Sequence, residues 1–135
     1  MLLSARPLRD VASVNNFRPA DRWQMMEGDA PSLYLQLIDK SVDLPVENFN
    51  PPYRRYMPVA GATLQVTVMS NDMAKEIVRF ATQPFPLDPS IWRLNLLSTD
   101  PVRGTVSMKL KLTEGGMVTY GQMQPALDVN PAGCM

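Results

Sequence analysis

Apolar and polar residues alternate most strictly across residues 104–113, where Val106, Met108, Leu110 and Leu112 interleave with Ser107, Lys109, Lys111 and Thr113. Successive side chains of a strand point to opposite faces, so this period predicts a strand with one buried face and one wet face. Gly115 and Gly116 follow Glu114 at once. A glycine pair supplies the positive φ of a tight hairpin turn, and residues 117–120 are therefore expected to return as a partner strand ending near Gly121.

The same alternation recurs along the chain. Leu33, Leu35 and Leu37 share one side of residues 32–38, Leu64, Val66 and Val68 one side of 62–68, and Trp92, Leu94 and Leu96 one side of 91–97. Residues 21–26 form a shorter strand, ended by a turn that holds Gly28 and Pro31, and are expected to pair with 32–38 as a hairpin. Residues 125–129 read as a short closing strand. Residues 73–81 admit two readings: a strand over 76–82, or a short helix with Met73, Ile77, Phe80 and Ala81 on one side. These segments amount to seven to eight short antiparallel strands separated by turn signals, which predicts an all-β chain built as a single β-sandwich of immunoglobulin-like or jelly-roll type.

That sandwich is expected to span residues 20–129, between an extended N-terminal arm (1–19) and a C-terminal tail (130–135). The arm mixes Arg, Asp, Ser and Asn without a sustained period, although Leu8, Val11 and Val14 fit a short helical stripe. Arms of this kind can lie along a neighbouring subunit. Within the sandwich the pattern stops at Asp39 and resumes after Pro58, which predicts a long proline-rich loop over 39–58. Loops of that length are uncommon in compact domains and usually carry function.

Composition narrows the function classes. A chain of 135 residues fits one domain. Thirteen acidic residues balance thirteen basic ones, so no overall field draws the protein to nucleic acid or to an anionic membrane. No apolar run approaches the roughly 18 residues of a membrane span, and the opening Met1-Leu2-Leu3-Ser4-Ala5-Arg6 is short for a secretory signal, so a soluble product of the cytoplasm is expected. Thirteen prolines punctuate loops, and ten methionines suit gap-filling in a core.

Histidine is absent, which removes the commonest general base, triad member and metal ligand together. The single cysteine, Cys134, has no internal partner for a disulfide or a metal site. The carboxylate pairs Asp29 with Asp39 and Asp72 with Glu76 lie in or beside turns, where Asp bonds its own backbone, and that reading outweighs catalysis. Glu27, Asp29 and Asp39 could bridge an ion across a hairpin, but no stretch has the regular ligand spacing of a calcium loop, and turn chemistry outweighs this reading too. The glycines form no phosphate-cradling loop and no Gly-x-Ser-x-Gly elbow. No catalytic set, cofactor or metal is expected, and the chain is not expected to be an enzyme.

The loop carries the candidate site: Phe49, Tyr53, Arg54, Arg55 and Tyr56. Two cations between two aromatics can stack on bases or sugars. Without a wider basic stripe, however, they leave a weak nucleic-acid footprint. Arg and Tyr are enriched at the energetic centres of protein interfaces, so protein contact ranks first, loop packing second, and nucleic acid or glycan last.

The turn at Met26-Glu27-Gly28-Asp29 leads into Leu-Tyr-Leu-Gln-Leu-Ile-Asp at 33–39, and Gly-Ala-Thr-Leu-Gln-Val-Thr-Val follows at 61–68. This succession resembles the amino-terminal β-sandwich of bacteriophage baseplate and tail-associated proteins, in which a Gly-Asp turn opens a strand ending in an Asp-containing turn. The likeness covers roughly residues 23–68, and the proline-rich loop between the two strands departs from it. The resemblance implies a structural virion protein of the neck, tail or baseplate, with capsid decoration as a close variant. Its partners would be copies of itself and other virion proteins, with no small-molecule substrate, nucleic acid or membrane, and it would reach the virion from the host cytoplasm. No site residue carries over, because such domains work by shape and oligomeric contact. The alternative is a carbohydrate- or receptor-binding module using exposed aromatics such as Tyr53, Tyr56 and Trp23.

Overall fold

The alternating segments become strands with the faces their period predicts. The computed structural model describes residues 1–9, 18–19, 22–26, 28–43, 53–70, 76–97, 102 and 104–130, and among these there is no helix. Ten strands follow in chain order: β1 (Leu3–Arg9), β2 (Arg18–Pro19), β3 (Trp23–Met26), β4 (Ser32–Asp43), β5 (Tyr53–Arg55), β6 (Thr63–Ser70), β7 (Ile77–Ala81), β8 (Ile91–Asn95), β9 (Gly104–Glu114) and β10 (Met117–Asn130). The chain is all-β. Its strands join in one open mixed sheet of order β5-β4-β1-β10-β9-β6-β7, with β2 beside β1, β3 beside β10 and β8 beside β4.

β9 is built as its sequence predicts. Val106, Met108, Leu110 and Leu112 are buried while Lys109 is exposed. Gly115 and Gly116 take φ of 55° and 80°, the two positive values that a type I′ hairpin needs. The return strand does not stop near Gly121. β10 runs on to Asn130 and absorbs the expected closing strand, with its register against β9 shifting between Met123 and Leu127. Pro125 falls within that shift, where its missing N–H costs no ladder bond.

The largest departure lies at the N-terminus, where Leu3–Arg9 is an internal strand and not part of an extended arm. β1 runs antiparallel to β4, from Leu3 opposite Asp39 to Leu8 opposite Tyr34, and parallel to β10 at Leu3–Gly121 and Ser4–Gln122. Its period is hard to see in sequence because both faces are covered: Leu3 and Ala5 join the main core, while Ser4 and Leu8 are buried on the other side. Pro7 fits because the Leu2 carbonyl accepts the Lys40 N–H at 2.9 Å, so even-numbered residues bond β4 and Pro7 turns its N-side to the opposite edge. There it falls between the registers of β10 and β2.

Other pairings also differ from expectation. β3 lies parallel to β10 (Leu127 opposite Trp23 through Asn130 opposite Met26) and does not form a hairpin with β4. Residues 77–81 are strand, and 71–75 lie outside the described residues. As strand alternation then requires, Ala81 is buried and Phe80 is exposed. One apolar cluster draws on strands from both ends of the sheet order, including Leu35 and Leu37 of β4, Trp92 and Leu94 of β8, Leu64, Val66 and Val68 of β6, and Leu110 and Leu112 of β9. The sheet therefore curls over a single core. Its far ends meet at one bridge, where Thr82 donates to the Arg93 carbonyl at 3.0 Å and accepts from the Arg93 N–H at 2.7 Å.

The closest approach within the sheet is at Gly121, where a Cβ would stand 2.3 Å from the Leu3 carbonyl oxygen and 2.8 Å from its carbon. Backbone cannot rotate away as a side chain can. Gly121→Ala is expected to destabilise the protein by about 2 kcal/mol or more, measured as a lower urea midpoint. A midpoint within error of the parent would mean that β1 does not press against β10.

Candidate functional site

β5 exists because β4 has an edge to spare. β8 occupies that edge only from Ser32 to Gln36, and from Ile38 onward β5 takes it over, with Arg55 opposite Ile38, Arg54 opposite Asp39 and, after a register shift, Tyr53 opposite Asp43. The Tyr56 N–H continues the pairing to the Leu37 carbonyl at 2.9 Å. The expected loop over 39–58 is thus strand at both ends: β4 extends to Asp43, and residues 53–55 are β5. Residues 44–52, and with them Phe49, lie outside the described residues.

Alternation separates the remaining four candidates. Arg55 shares a face with Ile38, and Arg54 shares the other with Asp39. Both arginines are exposed, and Tyr53 opens the strand. Tyr56 is half-buried and packs against the core cluster. The motif is therefore not one flat patch: it divides between a face, an edge and the interior.

A polar chain runs from Arg55 along the outer face of β4. Arg55 Nη1 lies 3.4 Å from Asp88 Oδ2. Asp88 Oδ1 accepts from the Ser90 hydroxyl at 2.5 Å and from the Ser90 N–H at 3.2 Å. Gln36 Nε2 donates to Ser90 Oγ at 3.2 Å, and Gln36 Oε1 accepts from Arg6 Nε at 2.9 Å and Nη2 at 2.7 Å. Gln36 and Ser90 are buried, so each needs the partners it has here. Burial, with the charge of Arg55 second, pulls the Arg6 guanidinium down to about 10, so it stays charged at neutral pH. Tyr34 stacks on Phe85 with ring centres 6.4 Å apart, which lays the segment before Asp88 over this face.

A second tether ties the segment after β5 to the opposite half of the sheet. The Tyr56 hydroxyl donates to Glu114 Oε1, and Glu114 Oε2 accepts the Val59 N–H at 3.0 Å. The hydrogen bond to Glu114, and secondarily burial, pushes the Tyr56 phenol up to about 12. Glu114 is the last residue of β9, so the hairpin turn at Gly115 and Gly116 sets its position.

The carboxylates do turn chemistry. Asp29 Oδ2 accepts the Met26 N–H at 2.9 Å. Asp39 Oδ1 accepts from the Leu2 N–H at 3.1 Å, the Ser41 N–H at 3.0 Å and the Ser41 hydroxyl at 2.6 Å. Burial raises the Asp39 carboxyl, but these hydrogen bonds outweigh it and hold the group below the usual range. Glu27, Asp72 and Cys134 lie outside the described residues, and among the described residues no three acidic, Cys or His side chains gather as a metal site would require. Trp23, expected as an exposed aromatic, is buried, with its Nε1 donating to the Leu8 carbonyl at 3.1 Å.

Sequence reasoning missed Arg6, Gln36, Asp88, Ser90 and Glu114. Gln36 carried a signal, since it is the polar residue between Leu35 and Leu37, but its partners come from a strand that the sequence did not reveal and from a proline-punctuated crossing. What the arrangement can do is hold β5 rigid and offer Arg54 as an exposed planar donor for a carboxylate. Comparison with protein-family models and with curated proteins gave no match.

A raised folded pKa on Tyr56 means the fold favours the protonated phenol. The stability it contributes is fully present below the ordinary value of 10.0 and is lost as pH rises towards about 12. The parent is expected to lose urea resistance between pH 10 and 12 more steeply than Tyr56→Phe, which should start lower at pH 8. Superimposable profiles across that window would mean the Tyr56–Glu114 tether contributes nothing.

Proposed function

We propose that this chain is a structural component of a bacteriophage virion, of the neck, tail or baseplate or as a capsid decoration, and that it acts by docking on copies of itself and on other virion proteins. Its sheet, folded over one core in the manner of a sandwich, supplies the rigid body. The observation that carries the reading is the anchoring of β5. The ladder to β4 and the Tyr56–Glu114 tether hold the strand, Arg55–Asp88 orients a side chain, and Arg54 stays exposed at the sheet edge. An edge already ordered loses little conformational entropy when a partner docks, which is what a repeated assembly contact requires. The resemblance over residues 23–68 supplies the virion setting. Buried Trp23 and the engaged hydroxyl of Tyr56 count against a carbohydrate site built on those aromatics.

The test is made on particles of the phage that encodes the chain. Mass spectrometry of purified virions is expected to find the protein at a fixed copy number. Arg54→Glu is expected to lower its incorporation about tenfold, the loss of one charge-assisted hydrogen bond, with unchanged thermal unfolding. Absence from the particles, together with glycan binding that vanishes on deleting residues 44–58, would favour the receptor-binding module instead.

A further inference from the structure

β7 ends the sheet order and pairs along one side only, with β6. Among the described residues its other side is used at a single point, the double hydrogen bond between Thr82 and Arg93. Backbone groups alternate sides along a strand, so the outward N–H and C=O of Thr82 set the direction of those before it. Phe80 and Val78 turn their backbone groups outward, whereas Ala81, Arg79 and Ile77 turn theirs to β6. Continuing the bridge would set Phe80 opposite Asn95, yet β8 ends there and the bridge stays isolated. Among the described residues nothing pairs with Val78 or Phe80 along this edge. Their side chains are 50% and 65% exposed.

An open apolar edge is a template for another strand, and proteins commonly blunt such edges with Lys, Pro or a bulge. Ile77-Val78-Arg79-Phe80-Ala81 has none of the three, although Arg79, on the face it shares with Ile77 and buried Ala81, is an inward-pointing charge of the kind that also tempers an edge. Its one charge, Arg79, acts on register. An antiparallel pair of identical strands centred on Arg79 would set two guanidiniums opposite each other, which is unfavourable. Centring on Val78 removes that conflict: Arg79 then faces Ile77, Phe80 faces Glu76, and Val78 faces its own copy.

We propose that two copies of the chain pair through their β7 edges, antiparallel about a two-fold axis at Val78, extending the sheet from one subunit into the next. The occupant is a second copy because the edge is self-complementary in hydrogen bonding and, in this register, sets no like charges opposite each other. Five residues of edge bury far less than the roughly 1,200–2,000 Å² of a standard interface, so the pair is weak alone and gains from repetition in a larger assembly. It rests on backbone geometry and stands or falls apart from the virion reading.

Sedimentation velocity of the full chain from 10 μM to 1 mM tests it. The parent is expected to move from monomer towards dimer. Val78→Pro removes an outward N–H without touching the β6 ladder, and Phe80→Lys places a charge on the edge; each should weaken association at least about tenfold. Thermal unfolding reports whether each variant is folded, and Phe80→Lys decides if Val78→Pro is not. The register is read by oxidation in a Cys134→Ser background. Opposed Val78→Cys residues in a narrow pair stand about 5.5 Å apart between Cα atoms, within disulfide range, so they should crosslink while Phe80→Cys does not. A monomer at every concentration, association undiminished in folded Phe80→Lys, or crosslinking at residue 80 but not at 78 would overturn the proposal.

Discussion

Two residues of β1 hold the halves of the sheet together. On one side stand β4, β5 and β8, on the other β10, β9, β6 and β7, and the ladder between these groups passes through Leu3 and Ser4 opposite Gly121 and Gln122. The Ser4 hydroxyl adds a bond to the Gln122 carbonyl at 2.9 Å. So short a parallel contact works because Gly121 has no Cβ and lets the Leu3 carbonyl come in. The single core depends on that junction, since Leu37 of β4 and Met108 of β9 belong to one cluster only if the sheet is continuous enough to curl. The candidate site depends on it as well: β1 brings Arg6 to Gln36 and the Leu2 N–H to Asp39.

Within the site, magnitudes separate what positions β5 from what decorates it. The Arg55–Asp88 pair spans 3.4 Å with the arginine side chain 44% exposed, and such pairs contribute about 1 kcal/mol at most. The Gln36–Ser90–Asp88 chain is different, because its glutamine and serine are buried and an unmet polar group there costs about 1–3 kcal/mol. The ladder to β4 and the Tyr56–Glu114 tether therefore hold the strand, while the Arg55 pair orients a side chain. Stiffness at β5 and an edge at β7 that no described residue pairs make different ends of the sheet order: one presents a fixed side chain, the other backbone.

Strands buried on one face were legible, since alternation and burial are the same fact seen twice. Leu33, Leu35 and Leu37, Leu64, Val66 and Val68, and Val106, Met108, Leu110 and Leu112 all turn to the core as their spacing predicts. β1 escaped because a strand covered on both faces has no polar side to alternate with, and Ser4, Arg6 and Pro7 read as an irregular arm. β5 escaped because its three residues form a strand only when a neighbour's edge is free to receive them. Of the candidate residues, Arg54 and Arg55 are exposed as expected, but Tyr56 turns inward and is engaged, because a carboxylate 58 residues away completes its hydrogen bond.

By itself the sequence determined local matters: that the alternating stretches are strand, which side of each is apolar, and where glycine permits a reversal at Gly115 and Gly116. These depend on φ, ψ and side-chain period, which neighbouring residues control. Strand order, parallel or antiparallel sense, and which backbone edges stay open were decided only by the tertiary structure. A hydrogen-bonding edge has no side chain to announce its partner, so the pairing of β1 with both β4 and β10 emerges only when the whole sheet competes for the same core.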